Sequence, residues 1–254
     1  MANLEALLAF LQAKILPPSD VGTNVQMLLR WIHFLAGIAW IGLLYFFNLV
    51  NVPVMKALDA PTKGKVIPVL LPRALWWFRW GAVVTVLAGF FYWFLILQTE
   101  PADNPGSYLW RTMGVWLVLW VVAWAIEYFL LRVPAITKNG WYVAVIVVVL
   151  AGLAGHLVIQ FNTYDGASNR ALAIGVGGGL GLVMLLNVWG IIWPAQKRII
   201  AWTKENAEKG TAIPAESATL ARRAFLASRA NAWLSIPMLF FMAAASHYPL
   251  FVGG

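Results

Sequence analysis

Cysteine is absent from the 254-residue chain and charge is scarce, with 18 Lys and Arg against 10 Asp and Glu in a sequence that is 61% hydrophobic. Without thiols the chain forms no disulfide, iron–sulfur cluster, thiolate metal site or covalently attached c-type haem, since each takes sulfur from the protein. Any cofactor is therefore held by nitrogen, oxygen or methionine sulfur. Soluble domains carry about a quarter charged residues, whereas here the share is 11%. The deficit is gathered in continuous apolar runs near or above ~18 residues, the length that marks a membrane-spanning helix. Continuity favours helices over the short alternating strands of a membrane barrel. The net charge of +8 does not point to nucleic acid, because Lys and Arg gather in the cytoplasmic loops of helical membrane proteins.

Apolar runs between Pro and Gly breakers predict six spans, over residues 27–50, 74–97, 109–131, 140–161, 170–193 and 230–248. The expected architecture is an all-α integral membrane protein in two parts. An N-terminal segment, 1–26, carries Leu4, Leu7, Leu8, Leu11 and Ile15 on one face of a short interfacial helix. A six-helix membrane domain, 27–254, follows. Pro53, Pro61, Pro68 and Pro72 fill its first loop, and a polar helical loop at 196–229 breaks near Gly210 and Pro214.

Lys56, Lys63, Lys65 and Arg73, then Arg132 and Lys138, then Lys197, Arg198, Lys204, Lys209, Arg222, Arg223 and Arg229 fall in alternate loops. The opposite side holds Lys14, Arg30, Arg111 and Arg170. The positive-inside rule then puts loop 196–229 in the cytoplasm and both termini in the periplasm, with the chain multi-pass in a bacterial inner membrane. The run GVGGGLG at 175–181 follows no strand and precedes no Lys-Ser/Thr, so it reads as close helix packing, not a phosphate cradle.

The 3 histidines share one leaflet in this topology. His33 and His156 each lie about six residues inside a span end, roughly 9 Å deep at ~1.5 Å per residue, where a polar ring needs a partner. Two helices presenting imidazole at equal depth can clamp a b-type haem without covalent attachment. Trp31, Phe34, Trp40 and Tyr45 supply aromatic surface near the first, and Phe161 and Tyr164 follow the second. The expected cofactor residues are His33, His156, His247 and Trp40, with His33 and His156 on the haem iron. The competing reading makes these histidines structural, bonded to backbone or neighbouring side chains, and His247 beside Tyr248 also suits the interfacial belt.

Arg79 and Glu127 have matching depth and are expected to pair, either fixing helix register or forming a proton path or anion clamp. Asn48, Asn51, Asn187 and Asn231 are further polar positions in or beside spans. Trp76, Trp77, Trp80, Trp93, Trp110, Trp141, Trp193 and Trp233 fall near span ends, where indole anchors at head groups. Trp116, Trp120 and Trp124 recur every four residues and face one side of their helix, for packing or for lining a cofactor.

Three stretches, WIHFLAGIAWIG at 31–42, NVWGIIWPAQKRIIA at 187–201 and NAWLSIPMLFFMAAASHYP at 231–249, resemble the N-terminal membrane domain of the bacterial cytochrome-c-linked urate oxidase (urate hydroxylase) family. The first also resembles small membrane haem proteins of the copper-resistance D and protoporphyrinogen oxidase type. The urate oxidase likeness implies roles for His33, Asn187, Gln196, Asn231, Pro237 and His247, and a membrane domain that passes electrons from urate towards the respiratory chain through a soluble cytochrome c. This chain ends at Gly254 and lacks the cysteines of a covalent haem site, so the likeness implies a stand-alone membrane domain. The leading expectation is a membrane electron-transfer subunit holding haem b and exchanging electrons with a periplasmic cytochrome c or oxidoreductase. The alternatives are a cofactor-free accessory subunit of a larger respiratory or photosynthetic complex, in contact with lipids and other subunits, and a urate or purine oxidase membrane domain.

Overall fold

The computed structural model describes residues 4–5, 18–100, 105–163 and 167–251, among which every regular element is a helix. The expected interfacial helix lies almost wholly outside the described residues. Asp20 opens α1 (Val21–Tyr45) by accepting the Thr23 N–H at 2.6 Å, which satisfies one of the orphan donors of the first turn. The helix passes through a π-helical turn, Phe46–Asn51, into α2 (Val52–Ala57). Asp59 then caps α3 (Ala60–Leu97) through the Thr62 N–H at 2.9 Å.

The proline-filled first loop expected from the sequence is instead helical. Pro61 sits in the first turn, where its missing N–H costs nothing, and Pro68 and Pro72 lie inside α3. Only Leu58 and Asp59 separate the two helices. Next come α4 (Pro105–Leu130), the short α5 (Pro134–Thr137), α6 (Gly140–Thr163) and α7 (Asn169–Asn187). A second π-helical turn, Val188–Ile192, joins α7 to α8 (Trp193–Lys209). Gly210, in the left-handed region at φ 69°, ends α8 as the sequence suggested, and α9 (Glu216–His247) follows.

Five helical stretches are long and apolar enough to cross a membrane: Val21–Ala57, Ala60–Leu97, Gly106–Leu130, Gly140–Thr163 and Asn169–Lys209. The sixth expected span is the C-terminal half of α9, where Asn231, Ser235, Pro237 and His247 dilute the apolar run. The chain is a multi-pass membrane protein, and α7 is its axis. In the most apolar stretch of Asn169–Lys209, 78% of residues are buried inside the protein, against 22–33% for the other four spans. Around α7 stand α3, α4, α6 and α9, with α1 packed on α3 and α9. Their outer faces expose Phe34, Ile38, Val118, Val148 and Phe240, a surface suited to lipid tails.

The glycine run of α7 receives aromatic rings from one side and, at Gly177, the backbone of α9, where Met238 O lies 3.3 Å from the point a Cβ would occupy. The Trp120 indole occupies the place where a Gly179 side chain would begin. A Trp124 ring carbon lies 2.7 Å from the corresponding point on Gly190, and one from Trp93 lies 3.4 Å from that on Gly175. Three indoles are also anchored to the axis by hydrogen bonds: Trp93 Nε1 donates to Ala171 O at 2.9 Å, Trp116 Nε1 to Gly175 O at 2.6 Å and Trp124 Nε1 to Asn187 Oδ1 at 3.1 Å. Trp93 is thus a core residue, 2% exposed, although its place near a span end predicts an interfacial anchor. Trp76, Trp77, Trp80, Trp110, Trp141 and Trp233 are exposed, as a belt requires.

Gly179→Ala pushes a methyl group into the Trp120 ring and is expected to lower stability by roughly 1–3 kcal/mol, read as a fall in Tm of the detergent-purified protein. Gly114→Ala, which meets open space, is the control and should not lower it. A second expectation concerns acid. Hydrogen bonds from the Thr62 hydroxyl and N–H hold the Asp59 carboxyl below its ordinary value of 3.8. Its contribution is complete above that value and is lost as pH falls through the folded-state value. Asp59→Asn should therefore shallow the acid limb of the stability profile below pH 3.8, measured by thermal denaturation against pH.

Candidate functional site

His33 faces α3, where Gly89 has no side chain to obstruct it; a Cβ there would lie 2.8 Å from the ring. His33 Nδ1 sits 2.8 Å from the Thr85 carbonyl oxygen. A carbonyl only accepts, so Nδ1 carries a proton, and in the neutral ring Nε2 keeps its lone pair. No hydrogen bond engages Nε2 among the described residues. Two turns further along α1, Trp40 is 1% exposed and packs on Gly81 of α3, with its buried Nε1 lacking a hydrogen-bond partner.

The other histidines stand elsewhere. His156 is exposed on α6, a helix that packs on α4, α7 and α9, while α1 packs on α3 and α9. His247 ends α9 and is exposed beside Tyr248. Nearby, Asn169 ties the following segment to α7 by accepting the Leu250 and Phe251 N–H groups at 2.8 and 3.0 Å. No ring contact or hydrogen bond joins any two of these imidazoles among the described residues, and no group of three His, Asp or Glu is placed to hold a metal ion there.

A buried polar node forms deeper in the bundle. Asn187, at the end of α7, donates from Nδ2 to Glu127 Oε1 at 3.0 Å and to Asn231 Oδ1 at 2.9 Å. Its Oδ1 accepts Trp124 Nε1 at 3.1 Å. Asn231 Nδ2 in turn donates to Met184 O at 2.9 Å. Asn187 and Asn231 are 0% and Glu127 3% exposed, so one amide fastens α4, α7 and α9 together. Beside it, Asn48 Nδ2 donates to Ser228 Oγ at 2.9 Å, and Tyr45 Oη lies 3.0 Å from Ser235 Oγ. Ser228 and Ser235 carry no signal in the sequence beyond being small and polar in an apolar helix.

The expected Arg79–Glu127 pair does not form. The Arg79 guanidinium lies 3.4 Å from the centroid of the Trp193 ring and 5.4 Å from that of Trp189, and its Nε donates to Leu75 O at 3.1 Å. Cation–π stacking and a carbonyl thus supply the partners that a carboxylate was expected to give. Glu127 is left with an amide donor and no counter-charge among the described residues, lining a narrow void with Trp120, Val147 and Leu234. An intramembrane carboxyl in that setting is suited to holding or exchanging a proton.

Asn187→Ala leaves Glu127, Asn231 and Trp124 each short of a partner and is expected to cost roughly 1–3 kcal/mol. Glu127→Gln, whose amide oxygen still accepts from Asn187, should stay close to wild type. Thermal denaturation of the two variants side by side checks the contrast.

No curated protein and no solved structure matches the chain. The family described as urate oxidase N-terminal matches residues 58–254, which include α3 to α9 and hence Glu127, Asn187, Asn231, His156 and His247. The match takes in the second and third of the stretches that carried the resemblance and starts after the first, so His33 and Trp40 lie outside it. With most of its length matched, the chain belongs to the urate oxidase N-terminal family.

Proposed function

We propose that the chain is a membrane electron-transfer subunit of the urate oxidase type, with His33 as a ligand to a b-type haem. The reading rests on one observation: the Thr85 carbonyl fixes the His33 tautomer, leaving Nε2 as a free, oriented lone pair. A backbone acceptor on one ring nitrogen with metal on the other is a recurrent arrangement of ligating histidine. Haem bound there would supply one-electron exchange. The protein's own part is to hold the ring between α1 and α3. The Gly89 backbone admits it, and the flanking Trp31 and Phe34 offer exposed aromatic surface to a macrocycle.

The filled axis bears on where such a group would sit. Indoles and α7 occupy the centre of the bundle, so the periphery beside α1 and α3 is the place consistent with His33. His156, exposed on α6, would reach a cofactor only from the outer face of that helix. In this reading the C-terminal half of α9 makes the sixth crossing and both termini face the periplasm of an inner-membrane protein. A periplasmic cytochrome c or oxidoreductase is then the electron partner. The second reading, an accessory subunit that contacts only lipids and other subunits, is favoured by the same filled axis and broad apolar exterior.

A reduced-minus-oxidised spectrum of the purified chain separates the two. Expected are b-type bands that vanish in His33→Ala and shift in Gly89→Ala, where the ring must move, while helical circular dichroism is unchanged. A colourless wild-type protein purified from haem-replete cells would sink the first reading and leave the second.

A further inference from the structure

The basic end of the bundle holds a cavity of about 220 Å³ between the last turn of α4, the π-helical turn with the start of α8, and the first half of α9. Arg132, Lys197, Arg198 and Arg223 line it together with Tyr128, and no Asp or Glu does. Two of the four cations are already engaged. Arg132 donates to Tyr128 Oη and lies 4.1 Å from the centroid of its ring, and Arg198 pairs with Glu216. Lys197 and Arg223 form no ion pair among the described residues.

The floor of the cavity is apolar: Leu131 and Ile191 are 2% and 7% exposed. Phe129 and Val133, beside it on and after α4, are exposed apolar residues where the bundle meets lipid. Two unspent cations over an apolar floor, with exposed apolar residues next in sequence to its walls, match a ligand with a phosphate at one end and hydrocarbon at the other. A free phosphate satisfies the cations but leaves the floor bare.

We propose that this cavity binds the head group of an anionic glycerophospholipid, its phosphate between Lys197 and Arg223 and its glycerol end on Leu131 and Ile191. The volume suits a head group, and the acyl chains run outside along α4. The site is independent of the haem reading, since none of its residues touches His33. It differs from a merely attractive basic surface in that α4, α8 and α9 all contribute walls. Bound lipid would thus fasten three helices at the membrane edge, as basic pockets between spans do for acidic head groups.

The test uses the full chain in detergent, without added haem. Native mass spectrometry is run with phosphatidylglycerol or phosphatidylcholine, and thermal denaturation with vesicles of either lipid, or with inorganic phosphate in phosphatidylcholine. Wild type should retain one phosphatidylglycerol with roughly tenfold preference over phosphatidylcholine and melt higher in its presence. The preference should be lost in the double variant Lys197→Ala/Arg223→Ala and kept in Lys204→Ala/Lys209→Ala, whose residues are exposed on α8 away from the cavity. Equal retention of the two lipids by wild type overturns the proposal, and this arm does not depend on a variant folding. So does stabilisation by inorganic phosphate equal to that by phosphatidylglycerol, which would mark a free-anion site. Should the double variant not fold, Lys197→Arg/Arg223→Lys, which preserves charge, must keep the preference; losing it while folded also overturns the assignment.

Discussion

The contact of indole with bare glycine backbone governs this bundle. A membrane helix gains nothing from hiding apolar surface that lipid would solvate equally well, so association relies on close fit and hydrogen bonding. Here α7 offers a face almost without side chains, and Trp93, Trp116, Trp120 and Trp124 supply the bulk that fills it. Each ring spans the distance between helix axes that a small-residue contact would otherwise close. The central position of α7 agrees with this, because that helix accepts large neighbours on several sides at once. In the proposed reading, a bundle filled in this way directs the redox group to the rim.

Hydrogen bonding imposes the second constraint, since polar side chains in the spans have little water to turn to. Asn187 uses both of its amide hydrogens and its oxygen within the protein, and Arg79 is covered by tryptophan. The same demand applied to His33 is met on one nitrogen only. In the proposed reading that half-satisfied ring, unlike the fully bonded Asn187, has a nitrogen left for a ligand.

Much of this was legible in the sequence. Long apolar runs place five spans and the position of the sixth helix, Gly210 marks the break between α8 and α9, and the glycine run reads correctly as packing. Proline misleads in the first loop, because Pro61 at a helix start and Pro68 and Pro72 within one are compatible with a membrane helix that finds other partners for its carbonyls. Depth along a span also proves a weak guide to pairing. Arg79 and Glu127 match in depth, yet direction around the helix sends one to Trp193 and the other to Asn187. Depth likewise places His33 and His156 in one leaflet, while only rotation about the helix axis decides whether two rings face each other. A one-dimensional pattern in a uniformly apolar helix carries little information on that angle, since no polar face marks the outside.

The two π-helical turns, Phe46–Asn51 and Val188–Ile192, occur in the two long helices whose amides reach α9 at Ser228 and Asn231. A turn with i→i+5 bonding accommodates one residue more than its α-helical equivalent, and so changes the phase of everything downstream. In the rod from Asn169 to Lys209 this works like a keyed coupling between shafts. Upstream, the glycine face is timed to the tryptophans; downstream, Ala195 and Ile200 point inward while Lys197 and Arg198 point out. Removing the extra residue would leave both halves intact and mistime them, so the aqueous end could no longer mesh with α9 while the membrane end stayed seated.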